Sequence, residues 1–169
     1  GNSEIVALCY TNKSELWFGT NGGGFSKMVK NTDGSEVFAN YQNHINQQNT
    51  PCSNKVFSIV QDINNKDFLW IISSADIEKF NTVSKQFIHY NKSKETSKLL
   101  NDLKVSIADK KGNLWIGTYE KGFIKFETKT KGRRRTGNEK ERKFEFEMNE
   151  KSNRVRTYTR PVVYVEGKR

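Results

Sequence analysis

The stretch Asp109-Lys110-Lys111-Gly112-Asn113-Leu114-Trp115-Ile116-Gly117-Thr118 decides the reading of this chain. It links one short apolar run, residues 103–108, to a polar turn and then to a second apolar run. Gly112 and Asn113 supply the tight backbone that such a turn needs. The flanking runs are rich in Val, Ile, Leu and Trp and are too short for ordinary helices, so both read as strands. Gly122 then suits a further hairpin before Phe123–Phe126.

The same layout occurs twice more. Ile5–Tyr10 is followed by a polar turn, by Glu15-Leu16-Trp17-Phe18-Gly19-Thr20 and by Asn21-Gly22-Gly23-Gly24-Phe25. A worn copy runs Val56-Phe57-Ser58-Ile59-Val60-Gln61-Asp62 and then Phe68-Leu69-Trp70-Ile71-Ile72-Ser73. It keeps Leu-Trp and loses the Gly-Thr pair and the later glycine. Trp17, Trp70 and Trp115 stand about 45 to 53 residues apart, close to the period of β-propeller blades.

Each repeat reads as four short strands: the Ile/Val run, the Leu-Trp run, a third strand (Phe25–Val29, Ile77–Phe80, Phe123–Phe126) and an alternating outer strand (Val37–Tyr41, Gln86–Tyr90). No segment sustains a 3.6-residue period, so little helix is expected. The fold class is all-β: a partial β-propeller of about three four-stranded antiparallel blades with a divergent basic C-terminal β segment. Blades are expected at about 4–50, 51–100 and 101–130, the last with its outer strand in the tail. Residues 131–169 read as a basic loop and divergent strands, a cap or a partial fourth blade. A blade is a sheet whose two faces both need cover. A tryptophan on the second strand can bury on the order of 200 Å² between blades, so all three are expected to be largely buried.

The motif Leu-Trp-[Ile/Phe]-Gly-Thr-x-x-x-Gly, preceded by a strand ending near Asp and a Gly-Asn turn, resembles the two-component regulator propeller repeat. Residues 109–118 match closely; residues 16–24 match with Thr11 where Asp is usual; the middle copy departs after Trp70. The resemblance covers residues 4 to about 130. It implies a piece of the periplasmic sensor of a bacterial hybrid two-component receptor, which binds a small oligosaccharide. It also implies further blades of a parent chain, or a second copy, as partners. Contact with a membrane would come only through other parts of the parent.

Composition bounds the alternatives. The net charge is +10, but residues 1–130 hold 16 lysines, no arginine and 13 acids, whereas 131–169 hold 13 basic residues and 6 acids. The basic excess therefore belongs to the tail, with Lys131, Arg133, Arg134, Arg135, Lys140, Arg142 and Lys143 at its centre. Glu139 and Glu141 dilute this run and no aromatic residue interleaves with it, so no nucleic-acid partner is expected. Nothing approaches the roughly 18 apolar residues of a membrane span. No signal peptide is evident, and the chain reads as a segment from inside a longer protein.

Catalytic chemistry finds no constellation here, and the chain is not expected to be an enzyme. His44 and His89 stand apart from any convincing acid or nucleophile in the sequence. Gly22-Gly23-Gly24 lacks the context of a phosphate-binding loop. Cys9 and Cys52 form no CxxC pair, so no metal site and no cofactor are expected. They read as two separate thiols, with one disulfide open in an oxidising compartment. The candidate ligand residues lie in loops that enter the innermost strands: Ser53, Asn54 and Lys55 after Pro51-Cys52, and Asn101 with Asp102. Their amide, hydroxyl and carboxylate groups suit sugar hydroxyls. Two alternatives to a sensor remain at this point, a scaffold propeller that binds another protein and a nucleic-acid binder acting through the tail.

Overall fold

The computed structural model describes residues 4–90, 103–119, 122–128, 140–147 and 155–162. Every element among them is a strand. β1 (Ile5–Tyr10), β2 (Leu16–Thr20), β3 (Phe25–Lys30) and β4 (Glu36–Tyr41) pair in chain order as the first antiparallel sheet. β5 (Val56–Gln61), β6 (Phe68–Ser73), β7 (Ile77–Asn81) and β8 (Phe87–His89) form the second. The third holds β9 (Leu103–Ala108), β10 (Leu114–Thr118), β11 (Phe123–Phe126), β12 (Lys140–Glu147) and β13 (Val155–Val162). The all-β, partial-propeller reading therefore holds, with one difference: the third sheet has five strands. β12 pairs along β11 and β13 along β12, so the tail extends this sheet edgewise. The centre of the basic run, 131–139, lies outside the described residues.

Each innermost strand carries the same irregularity. The pairing of β1 with β2 skips a residue between Ile5 and Ala7, that of β5 with β6 between Val56 and Ser58, and β9 with β10 shifts beside Gly117. Such a bulge raises the local twist. It recurs along the inner side of the array, where β5 approaches β1 on one side and β9 on the other. There the Ser106 hydroxyl and amide meet the Ser58 hydroxyl at 2.8 and 3.1 Å. Gly19 is required at this approach, because a β-carbon there would stand 2.7 Å from Val56 Cγ1 of the next blade. Gly24, with φ of 79°, is required for the hairpin, since a β-carbon would stand 2.2 Å from the Tyr41 carbonyl oxygen.

The core is two inter-blade layers. Trp17 and Phe25 of the first blade pack against Leu69, Ile71 and Phe80 of the second. Trp70 and Ile72 of the second pack against Leu114, Ile116 and Phe126 of the third. The tripeptide Leu-Trp-Ile thus works in two directions. Its Trp enters the following blade, while its Leu and Ile receive the Trp of the preceding one. The contacts are edge-on: Trp17 meets Phe80 at 5.8 Å and Trp70 meets Phe126 at 5.5 Å.

A buried indole must also place its N–H. Trp70 donates to Asp62 at 3.1 Å and Trp115 to Asp109 at 3.0 Å. In the first blade, Thr11 takes the place of Asp, and Trp17 donates instead to Glu15 at 3.2 Å. The Asp has a second task. Its other oxygen accepts turn amides, those of Asn64 and Asn65 in one blade and of Lys111 and Asn113 in the other. Directly across the ladder from each Trp stands a lysine: Lys27, Lys79 and Lys125. Each ammonium lies 5.0 to 5.9 Å from the indole centroid, within cation–π range. Lys27 pairs with Glu15 and Lys79 with Asp62, both at 2.6 Å, and Lys125 pairs with Glu127 at 3.1 Å. The worn middle copy keeps the hairpin hydroxyl of the motif. Ser73 donates to the Asp76 carbonyl as Thr20 and Thr118 donate to the carbonyls of Gly24 and Gly122.

One expectation is corrected. Trp17 and Trp70 are 0% and 1% exposed, but Trp115 is only half-buried. Its ring packs on Phe123 of its own blade, because no fourth Leu-x-Ile face follows it. Trp70→Ala should therefore cost about 3–5 kcal/mol, the usual result of emptying a large core site, and Trp115→Ala only roughly 1–2 kcal/mol. Urea unfolding of both variants checks this; equal losses contradict the one-sided burial.

A pH dependence follows from the Asp109 geometry. Desolvation pushes its carboxyl up, but donors from Trp115, Asn113 and Lys111 outweigh this and hold it down at about 2. An unfolded Asp titrates near 3.9. The folded value is the lower, so this stabilisation is complete above about pH 4 and is lost as pH falls through about 2. Melting temperatures from pH 5 to pH 2 should fall more steeply in the wild type than in Asp109→Asn.

Candidate functional site at the rim of the second blade

The connection 42–55 carries the chain from β4 to β5 and runs along the rim formed by the β2–β3 and β6–β7 hairpins. Three of the candidate ligand residues sit on it. Asn54 binds the first blade to the second: its carbonyl accepts the amides of Gly22 and Gly24 at 3.0 and 2.8 Å. Its side-chain oxygen accepts the Asn43 amide at 2.6 Å. The hydroxyls of Ser53 and Ser74 meet at 2.8 Å, and Ser53 also accepts the Lys55 amide. Lys55 is exposed, and its backbone bridges to Asn21. Asn101 and Asp102 lie outside the described residues. Among the candidates that are described, Asn54 is committed to joining the first blade to the second, Ser53 ties the connection to the β6–β7 hairpin of the second blade, and Lys55 is exposed.

The structure adds a cluster that the sequence reading separates. Cys52, on the same connection, lies 3.2 Å from His89 Nδ1 at the end of β8. His89 Nδ1 lies 3.0 Å from Glu78 Oε1, and the Asp76 carboxylate stands 3.9 Å from the same nitrogen and 3.7 Å from the Cys52 sulfur. The reading of His89 as remote from any acid is therefore overturned. The β7–β8 register sets Glu78 directly opposite His89, a pairing invisible until the hairpin is known. Glu78 and Asp76 are fully buried. Glu78 Oε1 also accepts the Cys52 amide at 2.7 Å, while Glu78 Oε2 is buried without a hydrogen-bond partner. Phe87 stacks on the imidazole and joins the blade 1–blade 2 core.

Both cysteines are free thiols. Burial, and then the carboxylates of Glu78 and Asp76, push the Cys52 thiol far above its usual range. A nucleophilic cysteine needs the opposite shift, so this Cys–His pair is not an activated nucleophile. What it does offer is sulfur, nitrogen and oxygen donors converging on one point: ligand atoms of Cys52, Glu78 and His89 lie within 4.8 Å of one another. Elsewhere, a cavity of about 430 Å³ opens on the first blade between Tyr10, Leu16, Met28 and the Glu15–Lys27 pair.

Solved structures share this arrangement of sheets. The chain is similar to the extracellular domain assigned to the hybrid two component system BT3049 of B. thetaiotaomicron, with TM-score 0.58 and 16% identity over 76% of this chain and 17% of that one. It is also similar to the extracellular domain of BT4673 from the same organism, with TM-score 0.53 and 22% identity over 73% of this chain and 16% of that one. The chain has the fold of these extracellular domains. It spans about a sixth of their length. No protein-family model matches the sequence, and none of the curated proteins matches it.

The two described kinds of rim residue are separable by stability. Asn54→Ala leaves the Asn43 amide without its acceptor and should cost about 1–2 kcal/mol. Lys55→Ala, at an exposed position, should stay within about 0.5 kcal/mol of wild type. Denaturant titration of the two variants measures the difference, and a neutral Asn54→Ala would show that the side-chain bond that folds the connection onto itself at Asn43 is idle.

Proposed function

We propose that the chain is a segment of the extracytoplasmic sensor of a two-component receptor, which binds a ligand and signals without catalysing a reaction. One observation supports this most: both end faces of the array are apolar and open on a fold otherwise found in much longer extracellular domains. On the first blade Leu8 and Tyr10 are 67% and 71% exposed, beside Phe38. On the third, Val105, Ile107 and Tyr119 are exposed beside the half-buried Trp115. Open apolar faces of this kind mark interfaces. Their partners in this reading are further blades of the parent chain or, failing those, a second copy. Location in the periplasm follows the same reading.

The ligand class is a small oligosaccharide, taken up at the rim that carries Lys55 and the connections between blades. Such loops carry function on a rigid β scaffold. The reading frame around this segment should encode more Leu-Trp-[Ile/Phe]-Gly-Thr copies, a membrane span and a kinase; a frame without these overturns the receptor assignment. Thermal-shift titration of the blade-complete product with neutral oligosaccharides should raise its melting temperature, less so after Lys55→Ala. A flat response across the panel overturns the ligand class.

A further inference from the structure

We propose that Cys52, Asp76, Glu78 and His89 bind a divalent transition-metal ion of the zinc class, clamping the 42–55 connection to the second blade. The geometry carries this. Zinc holds nitrogen and oxygen at about 2.0–2.2 Å and sulfur at about 2.3 Å, so neighbouring donors of a tetrahedral shell stand roughly 3.2–3.8 Å apart. Here sulfur and imidazole are 3.2 Å apart, imidazole and Glu78 3.0 Å, sulfur and Asp76 3.7 Å, and imidazole and Asp76 3.9 Å. These four separations lie in or within about 0.2 Å of that range, and the sulfur and the nearest Glu78 oxygen are within 4.8 Å of one another.

Hydrogen bonding within the cluster leaves one atom unexplained. Glu78 Oε1 serves both the Cys52 amide and His89, yet Glu78 Oε2 is buried and has no partner. An imidazolium would satisfy Oε1 alone. An ion at the centre of the cluster gives the second oxygen a counter-charge, which a buried carboxylate requires. The donor set also selects the ion. Calcium and magnesium prefer all-oxygen shells, whereas thiolate with imidazole suits zinc and its probe cobalt(II).

The repeat itself does not ask for these residues. Glu78 and His89 face each other at the ladder position held by Ser26 and Asn40 in the first blade and by Ile124 and Phe146 in the third. Asp76 stands where the other hairpins have Gly24 and Gly122. Three ionisable groups thus replace uncharged ones at equivalent points of one blade, and the connection brings a cysteine to the same place. Binding converts the Cys52 thiol to a metal-bound thiolate and releases its proton to solvent; no electron is transferred.

Cobalt(II) serves as the probe for the full, reduced chain after treatment with a chelator. One equivalent should bind and develop a thiolate-to-cobalt charge-transfer band, which zinc then bleaches. Cys52→Ser should abolish the band, and His89→Ala should weaken binding by roughly tenfold or more, while Cys9→Ser leaves both unchanged. Variants that misfold are bypassed by the wild type itself: zinc should protect Cys52, and not Cys9, from alkylation read by peptide mass spectrometry. Failure of cobalt to bind, a spectrum without the band, a band that survives Cys52→Ser, or Cys52 alkylation at the same rate with and without zinc each overturns the site. Neither oligosaccharide binding nor the parent reading frame bears on this outcome.

Discussion

Everything in this array depends on placing an indole in a dry gap between two sheets and still satisfying its N–H. The acid that accepts the N–H comes from the turn just before the Trp strand, Asp62 or Asp109, or from Glu15 where that turn begins with Thr11. Because the same Asp holds the turn amides, the turn, the rotamer of the Trp and the packing of the next blade are set together. The acid in turn draws a cation. A lysine directly across the ladder supplies it in the first two blades and lies over the indole in all three. In the second blade, where Trp70 and Asp62 are both buried, substituting either one leaves a buried partner unmatched, which is costlier than never having made the bond.

Much of this was legible in the sequence because its signals are local. Leu-Trp-Ile between two turns, repeated at blade spacing, identified the strands, their order and the inter-blade role of Trp. The lysine across from each Trp follows it by nine or ten residues, a spacing that could have been read as a hairpin pair. It was missed because lysine at the surface is common and the register was unknown. The bulges on β1, β5 and β9 leave no mark in composition. The Cys52 cluster was hidden for a different reason. Its members approach only after the connection folds over the β7–β8 hairpin, so spacing rules for metal ligands, which assume a local loop, do not reveal it.

The second blade is where the repeat is most worn, and it is also where polar groups are most deeply buried. The two facts are connected. Ile72 stands at the Gly19 position, and Ser73-Ser74-Ala75-Asp76 closes a shorter hairpin than Thr20–Gly24 does. The shortened hairpin brings an acid, Asp76, to a site that elsewhere holds glycine, and so crowds it towards Glu78 and His89. A sequence that departs from its own repeat in several coordinated positions is departing for a local purpose more than drifting.

The Leu-Trp-Ile tripeptide also explains the asymmetry of the two ends. Its Trp is a plug directed at the following blade, and its Leu and Ile are the floor of a socket for the preceding one. Leu69, Ile71, Leu114 and Ile116 are wholly buried because each pair receives a Trp. Leu16 and Phe18 occupy the same socket positions in the first blade, yet both are only half-buried. Trp115 is the complementary case, a plug with no socket. A row of such blades must always end with one unfilled socket and one unfilled plug, whatever its length. Edgewise strands such as β12 and β13 cannot change this, since they add to the ladder and leave the face open. The two faces are removed together only when plug meets socket, either around a closed ring or between copies. The apolar character of both ends is thus a consequence of the motif that holds the middle together.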